Sequence, residues 1–327
     1  MKVTIQDIGN MVGVSKSTVS RYLNGGYVSE DNMKKISDAV DKTGFRSNYF
    51  ATRLKSNKSR LIGVIIPRLD SFAAMKILKS MNRRLEEKGY QVIILTSELD
   101  KDRELNNMIK LHQQGVDGII VMAVDITKEN IALVNKLSIP ILFTGQKNSL
   151  VKCIKIDDIK AGRILGEYIK SKGHKNIVFL GVTEEDKAVG IERKEGFCQV
   201  FRDSDCTINF VETDFSFNKA YEVAKRAISY KPTVVVGATD NIVLGFIRYA
   251  FEKGYKIPED ISVAGFGGYD VGLAVHPTIT TVWIDYEALG EKAAESIVAD
   301  IELKELAEAV EIPLELIERQ SVRNLNK

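Results

Sequence analysis

Apolar residues in the first 23 positions recur at helical spacing. Ile5, Ile8 and Val12 fall on one face, and after Gly13 and Val14 so do Val19, Tyr22 and Leu23. The pattern predicts two short helices, the second over 16–23, joined at Gly13, a residue that tolerates positive φ. Thr4 and Ser15 stand where a side-chain oxygen can accept an orphan N–H of the first turn. A third helix follows Val28-Ser29 and runs to about 42. Residues 46–60 lose the periodicity: they are polar and basic, Leu54 is their one good apolar anchor, and so short a segment is a marginal helix alone.

From Leu61 the period changes. Strands are expected over 61–66, 91–96, 117–122 and 140–143, with helices over 72–88, 101–114 and 128–137 between them. The alternation repeats with helices over 158–172, 187–202, 216–229 and 240–253 and strands over 176–180, 208–211, 233–237 and 261–264. A further helix over 286–303 and a late strand near 310–316 follow. Continuous apolar strands alternating with helices predict parallel sheets covered on both faces, hence an α/β body behind an all-α head. Two similar halves form a clamshell, and such sheets bind ligands beyond the carboxyl ends of their strands. The strand ends carry Arg68, Asp70, Ser71 and Phe72, then Thr144, Gly145 and Gln146, then Thr239 and Asp240, then Gly267, Gly268 and Tyr269. Taken singly, each charged residue reads equally well as a surface ion pair, and Asp240 equally well as a helix cap. Their convergence at strand ends favours a binding role.

Charge adds a division that hydropathy does not show. The 327 residues carry a formal +2, but residues 1–60 hold eleven Lys and Arg against five Asp and Glu, a net +6 that leaves −4 for the rest. A basic head on a mildly acidic body points to a nucleic-acid-binding module joined to something else. With 44% hydrophobic and 28% charged residues the chain is neither disordered nor membrane-like, and no apolar run nears the roughly 18 residues of a span. Residues 1–7 hold no apolar signal stretch, so a cytoplasmic location is expected, with Cys153, Cys198 and Cys206 reduced. Their spacing, and the three scattered His, indicate no metal site and no cofactor. Nucleophile-elbow, phosphate-loop, zinc-protease and dinucleotide motifs are all absent, which argues against an enzyme.

The second helix turns Lys16, Ser17, Ser20 and Arg21 away from its apolar side. Cations and hydroxyls suit a phosphate backbone, and short side chains allow close approach to base edges, as in a helix-turn-helix. The run Val3-Thr4-Ile5-Gln6-Asp7-Ile8, with Gly13-Val14-Ser15-Lys16-Ser17-Thr18-Val19-Ser20-Arg21-Tyr22-Leu23-Asn24, resembles the head of LacI/GalR-family transcriptional repressors. Asn48-Tyr49-Phe50-Ala51-Thr52-Arg53-Leu54-Lys55 resembles that family's hinge helix, and the likeness continues along the body. Gly9 and Val12 stand where the family commonly has alanine, and a glycine inside a helix costs about 1 kcal/mol, so helix 1 is expected to be slightly loose.

The resemblance implies a DNA-binding head over 1–46, a hinge over 47–60 and an effector-binding, dimerising core over 61–327. Three chain crossings divide that core into about 61–157 with 286–313, and about 158–285 with 314–327. It implies base reading by Lys16, Ser17 and Arg21, with Thr4, Ser15, Thr18, Ser20 and Asn24 beside them. Asn48, Ala51 and Leu54 would meet the minor groove, Leu54 as a wedge that unstacks one step. The double-stranded operator is palindromic, read by a homodimer. No leucine heptads follow the last strand, so a tetramerising tail is not expected.

In the core the resemblance adds Arg193 as an effector contact and Phe215 as a platform for a sugar face. The family's usual acidic residue after the aromatic of the last strand loop is missing here, where Phe266 is followed by Gly267-Gly268. Ile65-Ile66-Pro67-Arg68-Leu69-Asp70-Ser71 resembles the trehalose- and sucrose-operon repressor branch. With Arg68 and Arg193 present, the expected effector is a sugar or, preferably, a sugar phosphate held near both guanidinium groups. Two other readings are a catabolite-control type of regulator answering to a partner protein and a transporter's solute-binding protein. The basic head opposes the second.

Overall fold

The computed structural model describes residues 3–23, 26–45, 58–304 and 311–326. The chain divides into two compact units, Met1–Ser59 and Arg60–Lys327. Among the described residues no helix is long and apolar enough to cross a membrane.

In the first unit α1 (Ile5–Val12), α2 (Lys16–Leu23) and α3 (Glu30–Thr43) enclose Ile8, Val19, Val28, Ile36 and Ala39. Thr4 Oγ1 accepts the Asp7 N–H at 3.3 Å, and the Asp7 carboxylate accepts from the Thr4 N–H at 2.9 Å and hydroxyl at 2.7 Å. These bonds to Thr4 hold the Asp7 carboxyl below its ordinary range. Gly13 ends α1 at φ 73°, and Val14 N–H folds back onto the Gly9 carbonyl at 3.0 Å. A Cβ on Gly9 would stand 2.8 Å from the Val14 carbonyl oxygen. Gly9, expected to loosen α1, is thus what lets the turn close over it.

The second unit contains two sheets. The first has the order β2-β1-β3-β4-β5, built from β1 (Leu61–Ile66), β2 (Gln91–Thr96), β3 (Gly118–Met122), β4 (Ile141–Thr144) and the short β5 (Cys153–Ile154), all parallel. α4 (Phe72–Glu87), α5 (Lys101–Gln113) and α6 (Lys128–Lys136) connect the strands. β1 and β3 are buried on both faces, as strands without polar side chains require. The second sheet has the order β11-β10-β9-β8-β6-β7. It comprises β6 (Asn176–Gly181), β7 (Thr207–Glu212), β8 (Val234–Gly237), β9 (Ser262–Gly267), β10 (Thr280–Ile284) and β11 (Leu314–Ile317), with only β11 antiparallel. α7 (Asp158–Ser171), α8 (Lys194–Gln199), α9 (Phe217–Ser229) and α10 (Asp240–Glu252) cover it.

Two details depart from the pattern. The helix expected over 187–202 opens as a wide π-helical turn, Lys187–Arg193, before α8. Asp186 caps that turn, and Gly190 lies where a Cβ would stand 2.1 Å from the Thr183 carbonyl oxygen, so the widened backbone packs directly on the preceding loop. The late strand is β11, at 314–317.

The chain crosses between the halves three times: after β5, after β10, and again after α11 (Tyr286–Ile301), which packs on α4. Gly290 allows that approach, because a Cβ there would stand 2.3 Å from the Ile77 carbonyl oxygen and 2.1 Å from Ser80 Oγ. Gly290→Ala is therefore expected to destabilise the core by about 1–3 kcal/mol, read as a lower urea midpoint. An unchanged midpoint would show that the helices can part without strain.

Glu104 on α5 is buried and accepts from Asn130 Nδ2 at 2.9 Å. Burial raises its carboxyl from 4.5 to about 7. The folded chain holds that proton more tightly than the unfolded chain. The stability it contributes is therefore complete below pH 4.5 and is lost as pH rises through 7. Glu104→Gln keeps the amide contact and should flatten this loss in melting temperatures taken from pH 5 to 8.

Candidate functional site

The outer face of α2 presents Ser15, Lys16, Ser17 and Arg21 to solvent, with Thr18 and Ser20 half-buried beside them and Val19 buried behind. Ser15 Oγ accepts the Thr18 N–H at 3.2 Å and lies 2.7 Å from Ser17 Oγ and 2.8 Å from Thr18 Oγ1. Three hydroxyls are thus grouped at the start of a helix, where anions are favoured, flanked by two cations. Thr4, exposed at the start of α1, spends its hydroxyl proton on Asp7. Asn24, Asn48, Ala51 and Leu54 lie outside the described residues.

In the second unit the carboxyl ends of both sheets face a cavity of ≈ 150 Å³. Of the residues expected at a ligand, Arg68, Ser71, Gln146, Arg193, Phe215, Thr239 and Tyr269 line it, as do Thr144 and Gly145. Asp70, Phe72, Asp240 and Gly267 do not. Asp70 is exposed, with Oδ1 3.1 Å from Arg68 Nε. Phe72 stacks on Tyr269 with ring centroids 5.1 Å apart. Gly267 takes φ 123°, and a Cβ there would enter the Tyr269 ring.

Asp240 does not line the cavity and does not cap α10. Thr239 caps α10, while the fully buried Asp240 carboxylate accepts from the Tyr269 N–H at 2.8 Å and the Thr281 hydroxyl at 2.7 Å. It fastens the loop that carries Tyr269 into the cleft. Burial raises its carboxyl to about 6 in spite of those two donors.

Arg193 lies at the cleft floor, 2% exposed. Its Nε and Nη2 donate to Asp158 Oδ1 at 2.9 and 2.6 Å, and Nη1 donates to the Ala238 carbonyl at 2.8 Å. The guanidinium carbon is 5.1 Å from the centre of the Phe266 ring. Burial opposes the charge, but the Asp158 carboxylate outweighs it and holds Arg193 above its ordinary value. Arg193 is thus a cation already compensated by Asp158, and it lines the cavity. Asp158, which sequence reasoning passed over as a helix start, is a cleft residue, and so are Asp186 and Tyr286. Burial pushes the Asp186 carboxyl up. Arg68 sits at the other side, its guanidinium carbon 5.0 Å from the centre of the Phe215 ring. Lys187 Nζ, from the second half, meets Asp125 Oδ1 of the first at 2.7 Å. Arginine, carboxylate, amide and hydroxyl groups among aromatic and aliphatic walls can hold a polyhydroxylated ring.

Residues 59–320 match the family model for periplasmic binding proteins and sugar binding domain of LacI family, and residues 4–48 match that for bacterial regulatory proteins, lacI family. The sucrose operon repressor of Staphylococcus xylosus is 33% identical over 90% of this chain and 92% of its own length. Catabolite control protein A of Priestia megaterium is 27% identical over 86% of this chain and 87% of its own. The lac repressor dimer bound to operator and the anti-inducer ONPF superposes with a TM-score of 0.88 at 22% identity, over 99% of this chain and 100% of that one, a likeness of fold.

Removing Asp158 leaves a guanidinium buried without its counter-charge. Asp158→Ala is expected to destabilise the core by about 3–5 kcal/mol, measured by denaturant titration. A loss no larger than that of an exposed ion pair would mean that water enters and solvates Arg193.

Proposed function

The chain belongs to the LacI family of bacterial regulatory proteins, and we propose that it represses a sugar-utilisation operon, its operator affinity switched by a sugar or sugar phosphate in the cleft. The observation that carries this reading is the cleft itself: one compensated guanidinium at its floor, a second at its mouth, and polar groups spaced among aromatic rings. The likeness to a sucrose operon repressor over nine-tenths of the chain supports the sugar class. The likeness to a catabolite control protein brings in a regulator answering to a partner protein, but a formed cleft favours a small molecule as the direct signal.

In this reading Lys16, Ser17 and Arg21 read bases in the major groove, while Ser15, Thr18 and Ser20, with Thr4 and Asn24 near them, meet the backbone. One small head makes few contacts, so two heads related by a two-fold axis read a palindromic operator as a homodimer. Asn48, Ala51 and Leu54 belong to a hinge that orders on the minor groove and connects operator affinity to the state of the core. Gln146, Thr239, Ser71, Arg193 and Tyr269 contact the effector directly. Asp70, Phe72, Asp240 and Gly267 act through Arg68 or Tyr269.

Arg21→Ala is expected to weaken specific operator binding by about 1–3 kcal/mol and to relax discrimination between operator variants. Gel shifts on a set of base-substituted operators would show it. Unchanged discrimination would remove Arg21 from the base-reading set. Calorimetry with a panel of sugars, followed by operator binding with the one that binds, tests the effector reading as a whole.

A further inference from the structure

One side chain of the second half is buried in the first. Tyr269 follows β9, yet it is 4% exposed within the core built on β1, α4 and α11. Its ring stacks on Phe72 with centroids 5.1 Å apart, and its centre lies 6.3 Å from that of the Tyr286 ring. Phe72 is the first residue of α4 and Tyr286 the first of α11. One ring thus meets the start of both helices that Gly290 lets pack together.

The backbone of Tyr269 is tied to its own half. Its N–H donates to the buried Asp240 carboxylate at 2.8 Å, which also accepts the Thr281 hydroxyl at 2.7 Å. The Gly268 N–H donates to Thr281 Oγ1 at 3.2 Å, so the same hydroxyl fixes the residue before. The loop is shaped for this path. Gly267 and Gly268 take φ 123° and 66°, and a Cβ would stand 2.5 Å from the Tyr269 ring at the first and 2.4 Å from the Trp283 ring at the second. A side chain at 267, such as the carboxylate usual in the family, would displace the tyrosine. Tyr269 also lines the cavity.

We propose that Tyr269 is a positioning residue that couples the second half to the α4–α11 pair of the first, with Asp240 as its anchor. The coupling is a physical chain of hydrogen bond, ring stack and helix start, and neither end moves without straining the other. Resting on the effector-binding reading of the cleft, a sugar that touches Tyr269 acts on both halves at once.

Hydrogen–deuterium exchange on the full chain tests the coupling without an effector, so its failure leaves the sugar reading standing. Asp240 has its hydrogen-bond partners in the second half. Asp240→Asn leaves one acceptor oxygen for those two donors. It should nevertheless speed exchange in residues 73–79 of α4 and 287–292 of α11 by at least about fivefold, with the strands of both sheets unchanged. In a Tyr269→Ala background the same change should add nothing. Tyr269→Phe keeps the ring and should match wild type. Thr281→Val removes one donor and is the milder break, with the same pattern expected. Acceleration confined to the second half, acceleration spread evenly over both sheets in Thr281→Val, or additive effects in the double variant overturns the coupling.

Discussion

A guanidinium without water must be given every partner it needs, and that constraint organises the sensor half of this molecule. Arg193 enters from the π-helical turn, Asp158 from the first turn of α7, the Ala238 carbonyl from the end of β8, and Phe266 from β9. Four separate stretches of chain must therefore be in register before the charge can be buried, because an unpaired buried cation is among the most expensive defects a fold can carry. The glycines of this region serve the same end: a Cβ on Gly162 would stand 2.2 Å from the Arg193 carbonyl oxygen, so α7 reaches Arg193 only because that side chain is missing. The pair is better understood as a fixed floor for the cleft than as a source of net stability.

Against that fixed floor the cross-cleft contacts are weak. Arg68 on Phe215, Lys187 with Asp125, Lys76 with Asp270 and Phe72 on Tyr269 join one half to the other, in each case with at least one partner partly or fully exposed. Such contacts hold a geometry without locking it. A rigid floor and soft walls are what a receptor needs if ligand binding is to shift one half against the other.

Much of this was legible in the chain itself, and the boundary is physical. Two-sided burial leaves β1 and β3 without a polar side chain, so those strands are read from composition alone. Arg68, Gln146, Thr239 and Tyr269 were legible because strand ends in such sheets point at the cleft. Asp158 and Tyr286 were not, since each looks locally like the first residue of a helix. Asp158 gains its role from a partner 35 positions away. Asp240 misled for the opposite reason: it stands at a strand end, yet its carboxylate turns back to the Tyr269 N–H and Thr281. The wide turn at 187–193 left no mark either, because glycine reads as a weak helix former whether or not backbone packs against it.

The antiparallel β11 has a bearing on how the molecule comes into being. Neither half is a continuous piece of chain. β9 and β10 leave backbone groups that Ser321 satisfies: its carbonyl accepts from Val263 N–H, and its hydroxyl bonds both the Val263 carbonyl and the Thr280 N–H. During vectorial synthesis the second sheet stays open until residues 314–321 have emerged, whereas the three-helix head is complete after the first 45. A nascent chain therefore owns a reader of DNA long before it owns a sensor, and the interval between the two is set by the order of the strands.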